Sequence, residues 1–290
     1  MFNCLPATIR GGIWMIIAGV FFTFIGVMIR MANKEVHVLE IVFFRYFISL
    51  IIMFPWMLRR GLVGLKAKNF PILFARSLSS YIGAIFWFAS MIYLPLAEAT
   101  ALGYTAPLFA TLGAILFLGE IAGPRRWRAL LLGFIGTLII LRPGVEAFSI
   151  PALYAISGAV FIAVSVLFVK ILNRTESAET IVLYMGIFST PLSFFAAIFF
   201  WKTPSLETLL WLIGIGISST LAHLAYTRSF AVTDASAVLP YDYLRLLMVA
   251  AVGFGIYGEI PDIWTWIGTI IIIGSALYIA KNEAIRKNNK

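Results

Sequence analysis

The sequence predicts an all-α membrane protein of ten transmembrane helices, built as two inverted five-helix repeats. Three observations predict it. Of 290 residues, 61% are hydrophobic and only 12% charged, where a soluble domain carries about a quarter, so lipid must solvate most of the surface. The apolar runs are broken by charge or proline at intervals that fit the roughly 20 residues of a spanning helix. The two halves also align without gaps at one offset of 139 residues. No polar stretch is long enough for a large soluble domain.

The spans follow in order from those breaks. The first, 11–31, comes after Arg10; no small-residue cleavage site follows it, so the expectation is a retained helix and not a signal peptide. The second, 37–58, lies between Lys34 and the pair Arg59–Arg60. Lys66 and Lys68 precede the third, 69–92, and Pro95 separates that from the fourth, 97–118. Arg125 and Arg126 introduce the fifth, 127–142. The stretch Arg142–Ile150 is the expected hinge to the sixth, 151–171, which ends at Lys170 and Arg174. The seventh, 180–200, stops before Lys202, and the eighth, 206–228, at Arg228. The ninth, 236–257, ends at Gly258-Glu259; the tenth, 263–280, leads into a basic tail, 281–290.

Orientation follows from the basic residues. With the N-terminus inside, fifteen of the 22 Lys and Arg fall on the cytoplasmic side. Arg30, Lys34, Arg142 and Lys202 fall outside, and Arg45, Arg76 and Arg245 within spans. That asymmetry predicts cytoplasmic termini in a cell inner membrane. It also explains the net charge of +9 without nucleic acid as a partner.

At the offset, Gly19 meets Gly158, Glu40 meets Glu179, and Ser79-Ser80 meets Ser218-Ser219. Ser90 meets Ser229, Gly119-Glu120-Ile121 meets Gly258-Glu259-Ile260, and Trp127 meets Trp266. Polar and Trp pairs at a constant offset mark an internal duplication, 11–142 and 151–280. Five spans per copy is odd, so the copies cross the membrane in opposite senses, the architecture of many secondary carriers with a central site.

Each copy ends its fourth helix in Gly-Glu, as LFLGE and GIYGE, and TAPLFATLGAILFLGE covers 105–120. In these features the chain resembles the EamA repeats of the drug/metabolite transporter superfamily along nearly its whole length. The resemblance implies ten spans, cytoplasmic termini and movement of small organic metabolites. HVLEIVFFRYF at 37–47 and FAVTDASAVLPYDYLRLL at 230–247 are similar to the subgroup containing S-adenosylmethionine uptake carriers.

Charges within spans are costly, about 2.5–3.5 kcal/mol on insertion scales, and mark candidate sites. Arg45 sits among aromatics in FFRYF, open to either a ligand or gate role or a structural ion pair. Arg76, two turns from the cytoplasmic start of its helix, either snorkels or lines the site. Asp242 and Arg245 are spaced i, i+3 on one helix face, flanked by Tyr241 and Tyr243 and preceded by Pro240. They form a mutual pair, a substrate contact, or both. His223 is either a hydrogen-bonded helix contact or a titrating ligand. Tyr81, Trp87, Tyr104, Tyr184 and Tyr226 are candidates to line a cavity. Glu98 reads as a helix-start charge, and Glu120 and Glu259 as helix stops.

These residues suit a secondary carrier of a zwitterionic or aromatic metabolite, with S-adenosylmethionine and amino acids among the candidates. An exporter of amino acids or toxic metabolites in the same fold is the alternative. No GxxxxGK[ST] pattern binds ATP. Two His, one Cys and no HExxH give a membrane enzyme or a metal site little chemistry, and no cofactor is implied. A channel would need polar stripes along several helices. The expected partners are a small-molecule substrate and the bilayer.

Overall fold

The structure, a computed structural model, describes residues 7–64, 67–117, 124–141, 149–172, 174–232 and 241–288. Its helices are α1 (Ala7–Ala32), α2 (Val38–Gly64), α3 (Phe70–Tyr93), α4 (Leu96–Gly103), α5 (Ala106–Phe117), α6 (Pro124–Leu141), α7 (Ile150–Leu172), α8 (Ala178–Ala197), α9 (Leu206–Val232), α10 (Leu244–Tyr257) and α11 (Ile263–Asn288). A 3₁₀ turn, Ile198–Phe200, extends α8. Together they make ten membrane crossings. α4 and α5 form the fourth; Tyr241, Asp242 and α10 belong to the ninth. Most of the expected hinge at 142–150, and Pro240, Gly119 and Glu120, lie outside the described residues.

Helix limits differ from the expected spans in two instructive places. The fourth crossing, expected to be continuous, is interrupted at Tyr104–Thr105. Pro107 is the cause: it has no N–H to donate to the carbonyl of Gly103, and its ring crowds that carbonyl. The chain compensates with tighter bonds, Thr105 N–H to the Leu102 carbonyl (3.0 Å) and Leu108 N–H to the Thr105 carbonyl (2.9 Å). The tenth helix, expected to end near 280, runs on to Asn288 through the basic tail, whose Lys, Glu, Ala and Arg are all good helix formers.

Helix pairing follows the repeat. α1 packs on α9 and α3 on α7, pairs that exchange under the 139-residue shift; α2 packs on α8 and α6 on α11, each pair its own counterpart. Small residues let backbones approach. A Cβ at Gly158 would lie 3.1 Å from the backbone nitrogen of Trp87, and one at Gly268 2.5 Å from the Gly136 carbonyl oxygen.

The loops are tied across the repeats in matching fashion. On the face of the α2–α3 and α7–α8 loops, Glu176 accepts the N–H groups of Lys68 (2.6 Å) and Asn69 (3.3 Å) just before α3. On the opposite face Glu35, in the α1–α2 loop, accepts the Ser205 hydroxyl (2.7 Å), the Ser205 N–H (3.1 Å) and the Thr208 hydroxyl at the start of α9. In each case a carboxylate of one repeat satisfies donors at the third helix of the other, where helix starts leave N–H groups unpaired. The two hydroxyl bonds, Ser205 first, hold the Glu35 carboxyl below its ordinary range. Burial lowers His37, which stacks on Phe200 at 4.3 Å.

Candidate functional site

The two helix interruptions meet at the centre. Tyr104 closes α4 and Tyr243 precedes α10; their rings lie edge to face, 5.1 Å between centroids. Tyr243 is Tyr104 shifted by 139, an equivalence that the repeat offset carries and the charge pattern does not. At the ninth crossing the Leu246 N–H bonds to Tyr243 (3.1 Å) in place of the α-helical acceptor, Asp242. The freed Asp242 carbonyl accepts the Tyr104 hydroxyl at 2.9 Å.

Around this meeting point stands a buried polar cluster in two parts. In the first, Arg245 Nη2 lies 3.5 Å from Asp242 Oδ2, the mutual pair expected from the spacing. The Arg245 guanidinium also lies over the rings of Phe22 (5.2 Å) and Tyr104 (5.3 Å). Asp242 is 7% exposed, and its Oδ1, Arg245 Nε and the Tyr243 hydroxyl are enclosed without hydrogen-bond partners. Tyr226 contacts Phe22 edge to face at 6.4 Å and Phe230 at 4.7 Å.

In the second part, Arg45 Nη2 bonds His223 Nε2 at 2.8 Å. A guanidinium only donates, so Nε2 accepts and the ring is the neutral Nδ1–H tautomer. Arg45 also lies over Tyr46 (4.8 Å) and Phe88 (5.3 Å), while the Tyr46 hydroxyl is fixed on the Ser80 carbonyl (3.1 Å). The structural ion pair held open for Arg45 is not formed among the described residues; Glu40 instead accepts the Lys202 N–H at 3.2 Å. Arg76 does not snorkel. It is 5% exposed, with Nε and Nη1 enclosed and unpartnered, and within electrostatic reach of Arg45, Tyr46 and His223. Phe22 joins the two parts, contacting His223 edge to face at 5.6 Å on one side and Arg245 on the other.

Of the remaining expected residues, Tyr81 is buried against Tyr46 (6.4 Å). Trp87 lies over Gly103, where a Cβ would come within 2.3 Å of its ring, beside the first interruption. Tyr241 packs flat on Gly12, its ring about 2.8 Å from where a Cβ would stand, toward the α1 start. Tyr184 is placed elsewhere: it packs with Phe70 and Phe188 in a separate cluster around Leu73, Leu172 and Ile181. Phe22, Tyr46 and Phe88 were missed, because a ring in so aromatic a chain carries no signal of its own.

On the face of the α1–α2 loop a polar network ties the two repeats together. Arg30 pairs with Glu259 at 2.5 Å and donates to the carbonyls of Met91 (2.7 Å) and Leu94. Glu259 also accepts the Leu96 N–H at 2.9 Å. Gly258, at φ 66°, makes the left-handed stop that presents Glu259, a turn that favours glycine. A recess of about 380 Å³ opens above this network, away from the central cluster, among Arg30, Asn33, Tyr93, Pro95 and Tyr257.

Comparison with known proteins agrees with this architecture. The model of the EamA-like transporter family matches twice, over residues 9–142 and 149–281. The riboflavin transporter of Vibrio cholerae serotype O1 is 32% identical, over 95% of this chain and 94% of its own. The S-adenosylmethionine uptake transporter of Rickettsia bellii is 31% identical, over 93% of each chain. A crystal structure, 18% identical, superposes with a TM-score of 0.65 over 97% of this chain and 99% of its own, a likeness of fold. The chain belongs to the EamA-like transporter family, and is a multi-pass membrane transporter of small organic metabolites.

Proposed function

We propose that the chain is a secondary carrier of a zwitterionic or aromatic metabolite, seated in the cell inner membrane with both termini cytoplasmic, and working by alternating access between its two repeats. One observation carries the reading. Where the interrupted helices meet, guanidinium, carboxylate, imidazole and aromatic groups from α1, α2, α3, α4, α9 and the ninth crossing form one buried cluster. Interrupted helices with polar groups at midmembrane are where carriers hold their solutes. Relatives named for riboflavin and for S-adenosylmethionine support a solute with an aromatic heterocycle; amino acids fit the same groups. Family membership makes the function transport, not catalysis.

The test is a solute screen on the purified full-length chain, by thermal shift and then by counterflow in proteoliposomes. A carrier gives saturable uptake and transient accumulation of labelled solute against its gradient. Flux that neither saturates nor shows counterflow would identify a channel and end this reading.

A further inference from the structure

Resting on the carrier reading, we infer that Arg45 and Arg76 form an anion-binding pole of the central cluster, where the transported solute docks a carboxylate or phosphate. Among the described residues, three guanidinium groups, on Arg45, Arg76 and Arg245, stand in the cluster against one carboxylate, Asp242, and Arg245 already engages it. Among the described residues neither Arg45 nor Arg76 has a carboxylate partner. Arg45 is answered only by neutral groups: an imidazole that accepts one hydrogen bond and two aromatic faces. Arg76 is more exposed energetically than sterically. It is 95% enclosed, with two of its nitrogens facing no acceptor.

Guanidinium does not relieve burial by losing its proton, so the counter-charge has to be supplied. Hydroxyl donors of the right kind stand nearby in the helices. Ser49, one turn beyond Arg45 on the same face of α2, and Ser219, one turn before His223 on α9, each hold a buried hydroxyl oxygen with no partner. Planar forks plus hydroxyls are a recognition set for an oxyanion. The excess of positive charge also sets a preference order: anionic and zwitterionic solutes bind above neutral ones, and cations lacking an oxyanion bind worst.

The test uses the full-length chain in proteoliposomes and three matched pairs: tryptophan with tryptamine, adenosine monophosphate with adenosine, and flavin mononucleotide with riboflavin. For at least one pair the member that carries the carboxylate or phosphate is expected to drive counterflow at least tenfold faster. Which pair responds tells carboxylate from phosphate. Arg76→Gln should remove that preference, and Arg76→Lys should keep part of it. In detergent, Arg76→Gln should melt at the same temperature as the parent or higher, because it removes an uncompensated charge. Equal transport of the uncharged or cationic members overturns the inference and leaves the carrier standing, as does neutral-solute transport that requires free chloride or phosphate. A lowered melting temperature or failure to fold in Arg76→Gln shows a structural partner and overturns it too. Counterflow of none of the six overturns the inference and leaves the carrier reading to its own solute screen.

Discussion

Asp242 and Arg245 form a buried pair that still leaves polar atoms free. Their i, i+3 spacing brings them to 3.5 Å, which lowers the cost of both in a lipid-surrounded core. Yet Asp242 Oδ1 and Arg245 Nε remain unused, facing a cluster in which Tyr104 and Phe22 cover the guanidinium. Removing either partner alone leaves a bare buried charge and should destabilise by about 3–5 kcal/mol. The informative variant is the exchange, Asp242→Arg with Arg245→Asp. It should restore melting temperature and membrane expression but not counterflow; near-parental transport would mean the pair is only structural. At this scale the sequence was readable where chemistry is scarce. Arg45, Arg76, His223, Asp242 and Arg245 stand out because a membrane span excludes such groups without cause, and the structure gathers all five. Aromatic residues are too common here to stand out. Tyr184 lies in a different cluster, whereas Phe22, which bridges the two halves of the centre, has nothing in its sequence context to set it apart.

Helices and their connections follow the same division. Hydropathic breaks set the ten crossings, and polar pairs at the constant offset exposed the duplication. The interruption at Tyr104–Thr105 was harder to read, since Pro55 and Pro191 sit inside continuous helices α2 and α8 while Pro107 breaks its own. Proline inside a membrane helix is tolerated when neighbours satisfy the freed carbonyls, and that depends on partners a linear sequence does not display. Two predictions belong here. Gly268→Leu drives a side chain into the Gly136 carbonyl where α6 crosses α11, and should cost about 1–3 kcal/mol, read as a lower melting temperature. Gly274→Leu, with no atom within 4 Å of its Cβ position, should leave it unchanged; equal losses in both would refute the close crossing. The second concerns the Glu35 tie to α9. Its carboxyl titrates below the ordinary range when folded. The tie is therefore complete at any pH above the unfolded carboxylate value, about 4.3, and is lost as pH falls through the depressed one. Glu35→Gln at neutral pH should speed amide exchange at Ser205–Thr208 relative to the parent, and that difference should vanish in strong acid. Unchanged protection in Glu35→Gln at neutral pH would show that the bonds do not hold the loop.

The molecule as a whole is a chain whose repeats share a frame and differ in their charges. Tyr104 and Tyr243 are equivalent, but Arg45 corresponds to Tyr184, Arg76 to Ile215 and Arg245 to Ala106. The scaffold is thus near two-fold while its polar centre is one-sided. Arg30 and Glu259 tie the two repeats on one face, and the position equivalent to Arg30 is Val169. Orientation in the membrane is open to direct measurement. In a Cys4→Ser background, cysteines at Lys66 and Arg126 should react with an impermeant maleimide only from the cytoplasmic side, and one at Lys202 only from outside. External labelling at Lys66 would reverse the assignment.

In a carrier that alternates between two inverted arrangements, Tyr104 and Tyr243 would act as a two-position register. One hydroxyl is spent on the Asp242 carbonyl, and the other has no partner. The residue that stands to Tyr243 as Asp242 stands to Tyr104 is Gly103, beside the first interruption. When two inverted halves trade shapes, the bond should change hands: Tyr243 takes the Gly103 carbonyl and Tyr104 lets go. Each tyrosine then votes for the state in which it is bonded, with a weight of about 1 kcal/mol, or roughly fivefold in population. Tyr104→Phe should favour opening of the Arg30–Glu259 face, and Tyr243→Phe should favour the arrangement seen here. Spin-label distances between Asn33 and Tyr93, across the recess on that face, report the balance. Shifts of the same sign in both variants would mean that the two rings do not alternate.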